Sequence, residues 1–272
     1  MVVDAVGTVV DVPVARPDTA GPALTDVHTR YPWQARVFDL VLTLVVLPLA
    51  IPASLVLGLA VALDSPGPIF YRAIRVGRDG RRFRMFKFRT MRRGAAGPGV
   101  SSEEDGRYTP IGRLLAAARL DELPQLWHVL RGEMRLVGPR PEAEEFVAAQ
   151  DVSYRRILSL PPGITGPTQL IFADEGRLLA RSRDPERAYR EDLLPRKVQL
   201  DLDYVDDNSR SRDLALLVRT WGVPARQLEL ALAESSWQSR KHAAAAFLRA
   251  GVLAGAVVTM VALFVLQGST AI

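Results

Sequence analysis

The longest uncharged stretch of the chain, residues 40–63, constrains the fold more than any other feature. Its 24 residues include no Asp, Glu, Lys or Arg, and as a helix they would extend roughly 36 Å, enough to cross a bilayer core of about 30 Å. The stretch is too internal for a signal peptide. Pro48 and Pro52 each remove a helical hydrogen bond and bend the helix. Hydropathy favours a kinked spanning helix, and the alternative is a re-entrant hairpin that enters and leaves by one face.

A second uncharged segment of 17 residues, 250–266, lies near the end of the chain. It is long enough to span a bilayer. Three basic residues precede it: Arg240, Lys241 and Arg249. The positive-inside rule therefore places its N-terminal side in the cytoplasm, together with the arginine-rich residues 72–249.

Composition narrows the chemistry of the region between these segments. The chain has no cysteine and three scattered histidines, which excludes a disulfide scaffold, a cysteine-ligated metal, a thiol nucleophile and a histidine-rich metal site. Three of the 35 basic residues are lysines, which leaves 32 arginines. Arginine binds phosphate and carboxylate groups in a bidentate manner better than lysine does.

Local patterns predict a mainly helical region with one small β-hairpin. Two β-prone runs, residues 69–76 and 83–91, flank a turn that contains Asp79-Gly80, a strong hairpin signal. Helices are predicted over residues 111–118, 120–134, 189–205 and 214–221. Gly132 weakens the second of them, and the last two are amphipathic, which suits a membrane interface as well as a soluble core.

The first candidate for chemistry is the pair Asp121-Glu122. Pro124 is tolerated only in a first helical turn, so a helix is expected to begin at residues 120–123. Both carboxylates then lie at the positive end of the helix dipole, where a phosphate or a metal–phosphate complex also binds. A carboxylate there stays ionised and can coordinate Mg²⁺ or attack phosphorus. Taken alone, the pair is more simply interpreted as ordinary N-terminal helix charges.

A second candidate is a set of seven basic residues: Arg75, Arg78, Lys87, Arg89, Arg113, Arg119 and Arg140. Such a set can clamp a diphosphate, contact anionic lipid, or bind nucleic acid with the nearby phenylalanines stacking on bases. Taken alone, this basic set is more simply interpreted as a contact with anionic lipid. A third candidate is the rigid turn at residues 162–167, which can place backbone amides near a ligand.

Residues 33–221 resemble the bacterial sugar transferases, the monotopic polyprenol-phosphate phosphoglycosyl transferases. The most specific block is LDELPQLWHVLRGEMRLVGPRP, at residues 120–141. Further matching motifs lie, in order, at residues 36–39, 65–70, 77–91, 109–113, 162–166 and 201–205. The resemblance covers roughly 190 of the 272 residues.

The resemblance implies transfer of a sugar-1-phosphate from a nucleotide diphosphate sugar, taken as a UDP-sugar, to a polyprenol phosphate. It implies Mg²⁺, with Mn²⁺ as an alternative, held by Asp121 and Glu122. Asp121 would be the nucleophile that forms a phosphosugar–aspartyl intermediate, and Glu122 would assist with the metal or a proton. The implied substrate contacts are Arg75, Lys87, Arg89, Arg113 and Arg140.

The resemblance also implies a membrane setting. The family has a re-entrant helix broken at a proline, matched best by Pro52, and this favours the re-entrant alternative for the first segment. The expected location is the bacterial inner membrane, with the catalytic domain in the cytoplasm. Membrane lipids, a homo-oligomer and downstream glycosyltransferases are the expected partners, and nucleic acid is not one.

Several positions depart from the family pattern. Pro161 and Ala116 stand at positions that are commonly arginine, His128 replaces a common Asn, and Glu133 a common Asp. The frequent Asn-Gly-Arg after Gln169 is absent. These departures put the sugar and base contacts in doubt more than the acidic pair. They leave a catalytically inactive membrane scaffold as the alternative, beside direct transfer in which Asp121 serves as a base or metal ligand.

The predicted fold is mainly α with a small β-hairpin, a re-entrant membrane helix, interfacial amphipathic helices and an extra C-terminal transmembrane helix. The predicted organisation is a mobile tail over 1–32, the membrane helix over 33–64, a cytoplasmic catalytic domain over 65–222, an amphipathic connector over 223–249 and a transmembrane helix over 250–272.

Overall fold

The computed structural model describes residues 31–95, 105–149, 151–180 and 182–220, with strand residues 2–3 and 9–10. The strands are β1 (Val2–Val3), β2 (Val9–Val10), β3 (Phe70–Val76), β4 (Arg82–Phe88), β5 (Arg135–Val137) and β6 (Gly163–Thr165). The α-helices are α1 (Trp33–Asp64), α2 (Pro110–Ala117), α3 (Leu126–Arg131), α4 (Glu144–Ala149), α5 (Asp151–Ile157), α6 (Pro167–Ile171), α7 (Glu175–Ala180), α8 (Pro185–Ala188), α9 (Leu194–Asp206) and α10 (Arg210–Thr220). Short 3₁₀ helices cover Arg78–Gly80 and Leu120–Gln125, and a π-helical turn covers Tyr189–Leu193. The predicted connector and C-terminal membrane segment lie outside the described residues, as does most of the predicted tail.

The predicted first membrane segment is helical throughout and forms the middle and C-terminal part of α1. Within the described part of the chain, α1 is the one helix that is long and apolar enough to cross a membrane. Pro48 and Pro52 lie inside it. Most of its middle is exposed, with Leu49 77% accessible, whereas most of its buried residues lie towards the two ends. Such an exposed apolar surface is typical of a membrane or protein contact.

The N-terminal end of α1 is fixed to the folded region by charged side chains. Arg36 donates hydrogen bonds to the carbonyl oxygens of Val129 and Leu130 on α3, the latter at 2.8 Å. Asp39 accepts a hydrogen bond from the Tyr31 hydroxyl at 2.8 Å. Its carboxylate also lies 4.0 Å from Nε of the buried Arg135. These contacts set the direction in which α1 leaves the domain.

The predicted hairpin is confirmed as β3 and β4, which pair antiparallel from Phe70↔Phe88 to Val76↔Arg82. Asp79 and Gly80 in the turn both have positive φ angles, 56° and 74°. Glycine and, less readily, Asp accept this backbone region, which explains why Asp-Gly marks the turn.

The helix predicted over residues 120–134 is shorter and divided. Its first part is the 3₁₀ helix Leu120–Gln125, and α3 ends at Arg131 because Gly132 adopts a left-handed conformation with φ 81°. The inclusion of Met134 was therefore wrong. Met134 is a fully buried residue just before β5.

The prediction of a turn over residues 162–167 was also wrong in part. Residues Gly163–Thr165 form β6, which pairs parallel with β5. A Cβ atom added to Gly163 would lie 2.1 Å from the amide nitrogen of Gly138, so the close approach of the two backbones requires glycine there. The sequence analysis predicted neither strand.

The helices predicted over 189–205 and 214–221 correspond to α9, with the π-helical turn before it, and to α10. Helix α9 buries Leu194, Val198, Leu202 and Val205, so it is a core helix and not an interfacial one. Helix α10 buries Leu216 and leaves two apolar residues exposed. These residues are Leu214 and Val218.

Candidate active site

The acidic pair lies in the 3₁₀ helix Leu120–Gln125, which packs against β4. The residue before this helix, Arg119, has a φ angle of 54°, a left-handed conformation that costs a non-glycine residue about 1 kcal/mol or more. Its guanidinium donates a hydrogen bond to the carbonyl oxygen of Gln169 on α6 at 2.9 Å. This anchor holds the turn that brings Asp121 into position.

The carboxylate of Asp121 is buried, with 6% of the residue exposed. Lys87 on β4 places Nζ 3.9 Å from Oδ2 of Asp121. Burial raises the pKa of Asp121 to about 6; Lys87 opposes this rise and the adjacent Glu122 adds to it. The carboxylate is therefore ionised at neutral pH, yet more basic than an exposed aspartate.

The acidic pair is chemically suited to a divalent cation, but the described residues do not form a complete metal site. Asp121 and the half-buried Glu122 supply hard carboxylate oxygens within one helical turn. Among the described residues no group of three or more His, Cys, Asp or Glu side chains is arranged to hold a metal ion. Mg²⁺ commonly takes one or two carboxylates and completes its shell with water and substrate phosphates.

A half-exposed aromatic residue borders the Lys87–Asp121 pair. Tyr71 pairs with Lys87 across the hairpin, and Lys87 Nζ lies 5.6 Å from the centre of the Tyr71 ring. Tyr71 was not among the residues predicted from the sequence. The signal was available, because a hairpin turn at Asp79-Gly80 sets the register that places residue 71 opposite residue 87.

Arg140 interacts electrostatically with three carboxylates, of which Glu122 of the acidic pair has the smallest effect. Burial would lower the pKa of Arg140, but Glu142, Glu175 and then Glu122 raise it above its usual value. The Arg140 backbone amide donates to Asp201 at 3.4 Å, and its Nε lies 3.7 Å from Oε1 of Glu142.

Arg89 is committed to a different contact. Its guanidinium donates to the carbonyl oxygens of Ser65 at 2.6 Å, Pro66 at 3.1 Å and Val61 at 3.3 Å. These carbonyls lie at and just beyond the C-terminal end of α1. Arg89 therefore caps the apolar helix in this structure.

The remaining basic residues are spread over three elements. Arg75 lies on β3, on the same face as Tyr71, and Arg113 is half-buried on α2. Arg78 lies in the hairpin turn and pairs with Asp79 at 3.6 Å. The structure thus brings Lys87, Arg119 and Arg140 towards the acidic pair and gives Arg89 a structural contact.

Residues 30–227 match the sequence model of the family described as "Bacterial sugar transferase". The chain belongs to this family. This membership makes the protein an enzyme of the sugar transferase class, as its resemblance to the family indicated.

Three relatives illustrate how this sugar transferase compares. It is 37% identical over 190 residues to a UDP-glucose:undecaprenyl-phosphate glucose-1-phosphate transferase of Caulobacter vibrioides, covering 68% of this chain and 67% of the relative. It is 32% identical over 197 residues to a UDP-N-acetylgalactosamine-undecaprenyl-phosphate N-acetylgalactosaminephosphotransferase of Aeromonas hydrophila, covering 70% and 43%. It is 33% identical over 195 residues to a UDP-glucose:undecaprenyl-phosphate glucose-1-phosphate transferase of Escherichia coli, covering 68% and 39%. The matched region is thus less than half of the last two proteins.

The sugar transferase contains a buried polar network that reaches Arg140 through Glu142. This network was not predicted from the sequence. Lys197 Nζ lies 2.6 Å from Oε2 of Glu175 and 3.3 Å from the Tyr189 hydroxyl. That hydroxyl donates to Glu142 at 3.1 Å. Burial alone would raise the pKa of Glu175, but Lys197 holds it below its usual value. A charged residue at a core position of an amphipathic helix, as Lys197 is on α9, was the available signal.

The candidate active site of the sugar transferase adjoins its apolar helix. Leu123, two residues after Asp121, packs against a cluster that includes Leu57, Ala60 and Val61 of α1. The same cluster contains Phe88, which follows Lys87 on β4. Chain neighbours of Lys87 and Asp121 therefore pack against α1.

Proposed function

We propose that this sugar transferase moves a sugar-1-phosphate from a UDP-sugar to undecaprenyl phosphate and so starts the assembly of a lipid-linked glycan or exopolysaccharide. The relatives carry names of this reaction type. The observation that carries the proposal is the buried Asp121 carboxylate, 3.9 Å from Lys87 and adjacent to the apolar helix α1. A water-soluble donor and a lipid acceptor can meet at such a place.

In the first step, an Asp121 oxygen attacks the sugar-bearing phosphorus of the donor. The bond from that phosphorus to the oxygen bridging the two phosphates breaks, and UMP leaves with the bond's electron pair. The product on the protein is a phosphosugar–aspartyl intermediate, which is an acyl phosphate. Lys87 and Arg140 offset the repulsion between an anionic nucleophile and an anionic diphosphate.

In the second step, a phosphate oxygen of the polyprenol phosphate attacks the same phosphorus. The bond between the Asp121 oxygen and phosphorus breaks, the Asp121 carboxylate is regenerated, and the polyprenol diphosphate sugar is released. Position explains why one site serves both substrates, because Leu123 and Phe88 join the site to α1. The acceptor phosphate then needs to rise only a short way from the membrane surface.

Asp121 and Glu122 are the residues that would hold Mg²⁺. When bound, the ion supplies charge neutralisation for the diphosphate and its leaving group. Glu122 would help to hold the ion, and Lys87 is the protein's own cation at Asp121.

We further propose that α1 is re-entrant and that the catalytic region lies on the cytoplasmic face of the inner membrane. Support comes from its two ends. Arg36 near one end contacts α3, and Asp64 at the other accepts a hydrogen bond from the Ile111 amide on α2 at 3.3 Å. Between them, Pro48 and Pro52 are both exposed. A bend there lets both ends return to the same folded region.

The reaction is tested by measuring UMP release from the full-length protein in detergent. The mixture contains Mg²⁺, undecaprenyl phosphate and one member of a panel of UDP-sugars. We expect release with one donor, and loss of release in Asp121→Ala. Asp192→Asn, which removes an exposed carboxylate, is the matched control and should behave as wild type.

The covalent step is tested with donor labelled in the sugar phosphate and no acceptor. Label that is retained on the denatured wild-type protein, and is not retained on Asp121→Ala, supports the phosphosugar–aspartyl intermediate. UMP release that depends on both substrates together, with no retained label, would instead indicate direct transfer with Asp121 as a base or metal ligand. No release from a broad panel of nucleotide sugars would favour the inactive scaffold.

A further inference from the structure

We propose that His128 and Glu133 form a positioning pair that holds Lys87 against Asp121. Neither residue belongs to the acidic pair or to the basic set assigned to the substrates. The proposal rests on the proposed function for its kinetic test, and a second test below is independent of activity.

Both ring nitrogens of His128 are engaged. The residue lies on α3 with 1% of its surface exposed. Its Nε2 lies 3.1 Å from the backbone nitrogen of Phe86, and its Nδ1 lies 2.6 Å from Oε2 of Glu133. The ring stacks on Phe86, with centroids 5.1 Å apart, and meets Phe83 edge-on at 5.4 Å. The orientation of the imidazole is therefore fixed from all sides.

These contacts define the protonation of the ring. A backbone amide can only donate a hydrogen bond, so Nε2 of His128 must be the unprotonated acceptor. Nδ1 then carries the hydrogen and donates it to Glu133. Arg131 lies 3.3 Å from the other Glu133 oxygen and helps to keep that carboxylate in place. Glu133 thus selects the tautomer that can bind Phe86.

The hydrogen bond matters because β4 belongs to a two-stranded sheet. One edge of β4 pairs with β3, and amides on its other edge need different partners. His128 supplies one for Phe86, the residue immediately before Lys87. Helix α3 also continues directly from the 3₁₀ helix that carries Asp121. One imidazole therefore joins the strand that carries Lys87 to the helical segment that carries Asp121.

Two replacements of His128 separate the hydrogen bond from the packing. His128→Phe keeps an aromatic ring between Phe83 and Phe86 but has no acceptor for the amide. His128→Gln places an oxygen at about the reach of Nε2 and keeps the acceptor. We expect the single-turnover rate of UMP release to fall about 10-fold in His128→Phe, with the KM for the donor unchanged, and to stay within about threefold of wild type in His128→Gln. Arg84→Gln, which changes an exposed side chain on the same strand, is the matched control and should behave as wild type.

A double-mutant cycle identifies the residue through which His128 acts. If the imidazole acts by placing Lys87, His128→Phe should cost less than about twofold in a Lys87→Gln background. A general loss of structure would reduce the rate by the same factor in both backgrounds. Equal factors would therefore overturn the proposal, as would a wild-type rate in His128→Phe.

Hydrogen exchange tests the contact without using the reaction. In the full-length protein in detergent, the Phe86 amide should exchange faster in His128→Phe than in wild type and should remain protected in His128→Gln. Unchanged protection in His128→Phe would overturn the proposal. If wild type releases no UMP with any donor, the proposed function fails on that result, while the exchange comparison still decides whether His128 holds β4.

Discussion

Lys87 on β4 and Asp121 on the 3₁₀ helix Leu120–Gln125 are 34 residues apart in the chain. In the fold, Nζ of Lys87 lies 3.9 Å from Oδ2 of Asp121. Among the described cations, Lys87 has the largest effect on the pKa of the buried Asp121, so its charge favours the ionised carboxylate and attracts the donor's diphosphate. We expect Lys87→Met to lower the rate of UMP release by about 10- to 100-fold. Arg84→Gln, an exposed basic residue on the same strand, is the control and should have little effect. A rate within twofold of wild type in Lys87→Met would contradict this role.

Asp121 is expected to limit stability while enabling the reaction. Because burial raises its pKa to about 6, the ionised carboxylate destabilises the fold at neutral pH. Asp121→Asn should therefore abolish turnover and raise the free energy of unfolding at pH 8 by roughly 1–3 kcal/mol. Thermal unfolding in detergent and UMP release check the two halves. Glu122→Gln should reduce turnover strongly with the fold intact.

The buried Asp201 predicts a pH-dependent stability. Burial raises its pKa to about 7, even though the Thr168 hydroxyl donates to it at 2.5 Å. The unfolded chain releases this proton near pH 4, so wild-type stability should fall as the pH rises from about 4 to 7. Asp201→Asn has no such proton. Its unfolding free energy relative to wild type should increase by on the order of 2–4 kcal/mol between pH 5 and pH 8.

The control for this prediction is Asp203→Asn, which changes an exposed carboxylate on the same helix. Melting curves of the three proteins at several pH values provide the comparison. A difference between Asp201→Asn and wild type that stays constant with pH would show that Asp201 is ionised throughout.

Arg89 is expected to stabilise the attachment of the C-terminal end of α1 to the folded region. Its planar guanidinium binds the Ser65, Pro66 and Val61 carbonyls together, and an ammonium group cannot reproduce that geometry. Arg89→Lys should lower the free energy of unfolding by about 2–3 kcal/mol. Arg81→Gln, an exposed residue of the hairpin, should leave it unchanged. Equal stabilities of Arg89→Lys and wild type would show that the cap contributes little.

The path of α1 through the membrane is open to a topology test. A tag placed at Asp4 should be protected from protease added outside spheroplasts if α1 is re-entrant. Cleavage of the tag in intact spheroplasts would show that α1 spans the membrane. A cytoplasmic protein that resists the protease until lysis is the control for membrane integrity.

Local features were predictable from the sequence because their causes act over a few residues. The uncharged run 40–63 could only be an apolar helix, and Asp79-Gly80 could close a hairpin without help from the rest of the chain. The acidic pair was found from the helix start that Pro124 implies and from the resemblance of the surrounding block. Each of these signals is complete within one turn, one strand pair or one helix.

The tertiary structure decided which charges face which partners. A sequence of arginines does not distinguish Arg89, which caps α1, from Arg140, which lies near the acidic pair. The pairing of β5 with β6, the Lys197–Glu175 contact and the link from His128 to Phe86 all join residues distant in the chain. Burial removes water as a partner for such polar groups, so each must find a protein partner that only the assembled fold supplies.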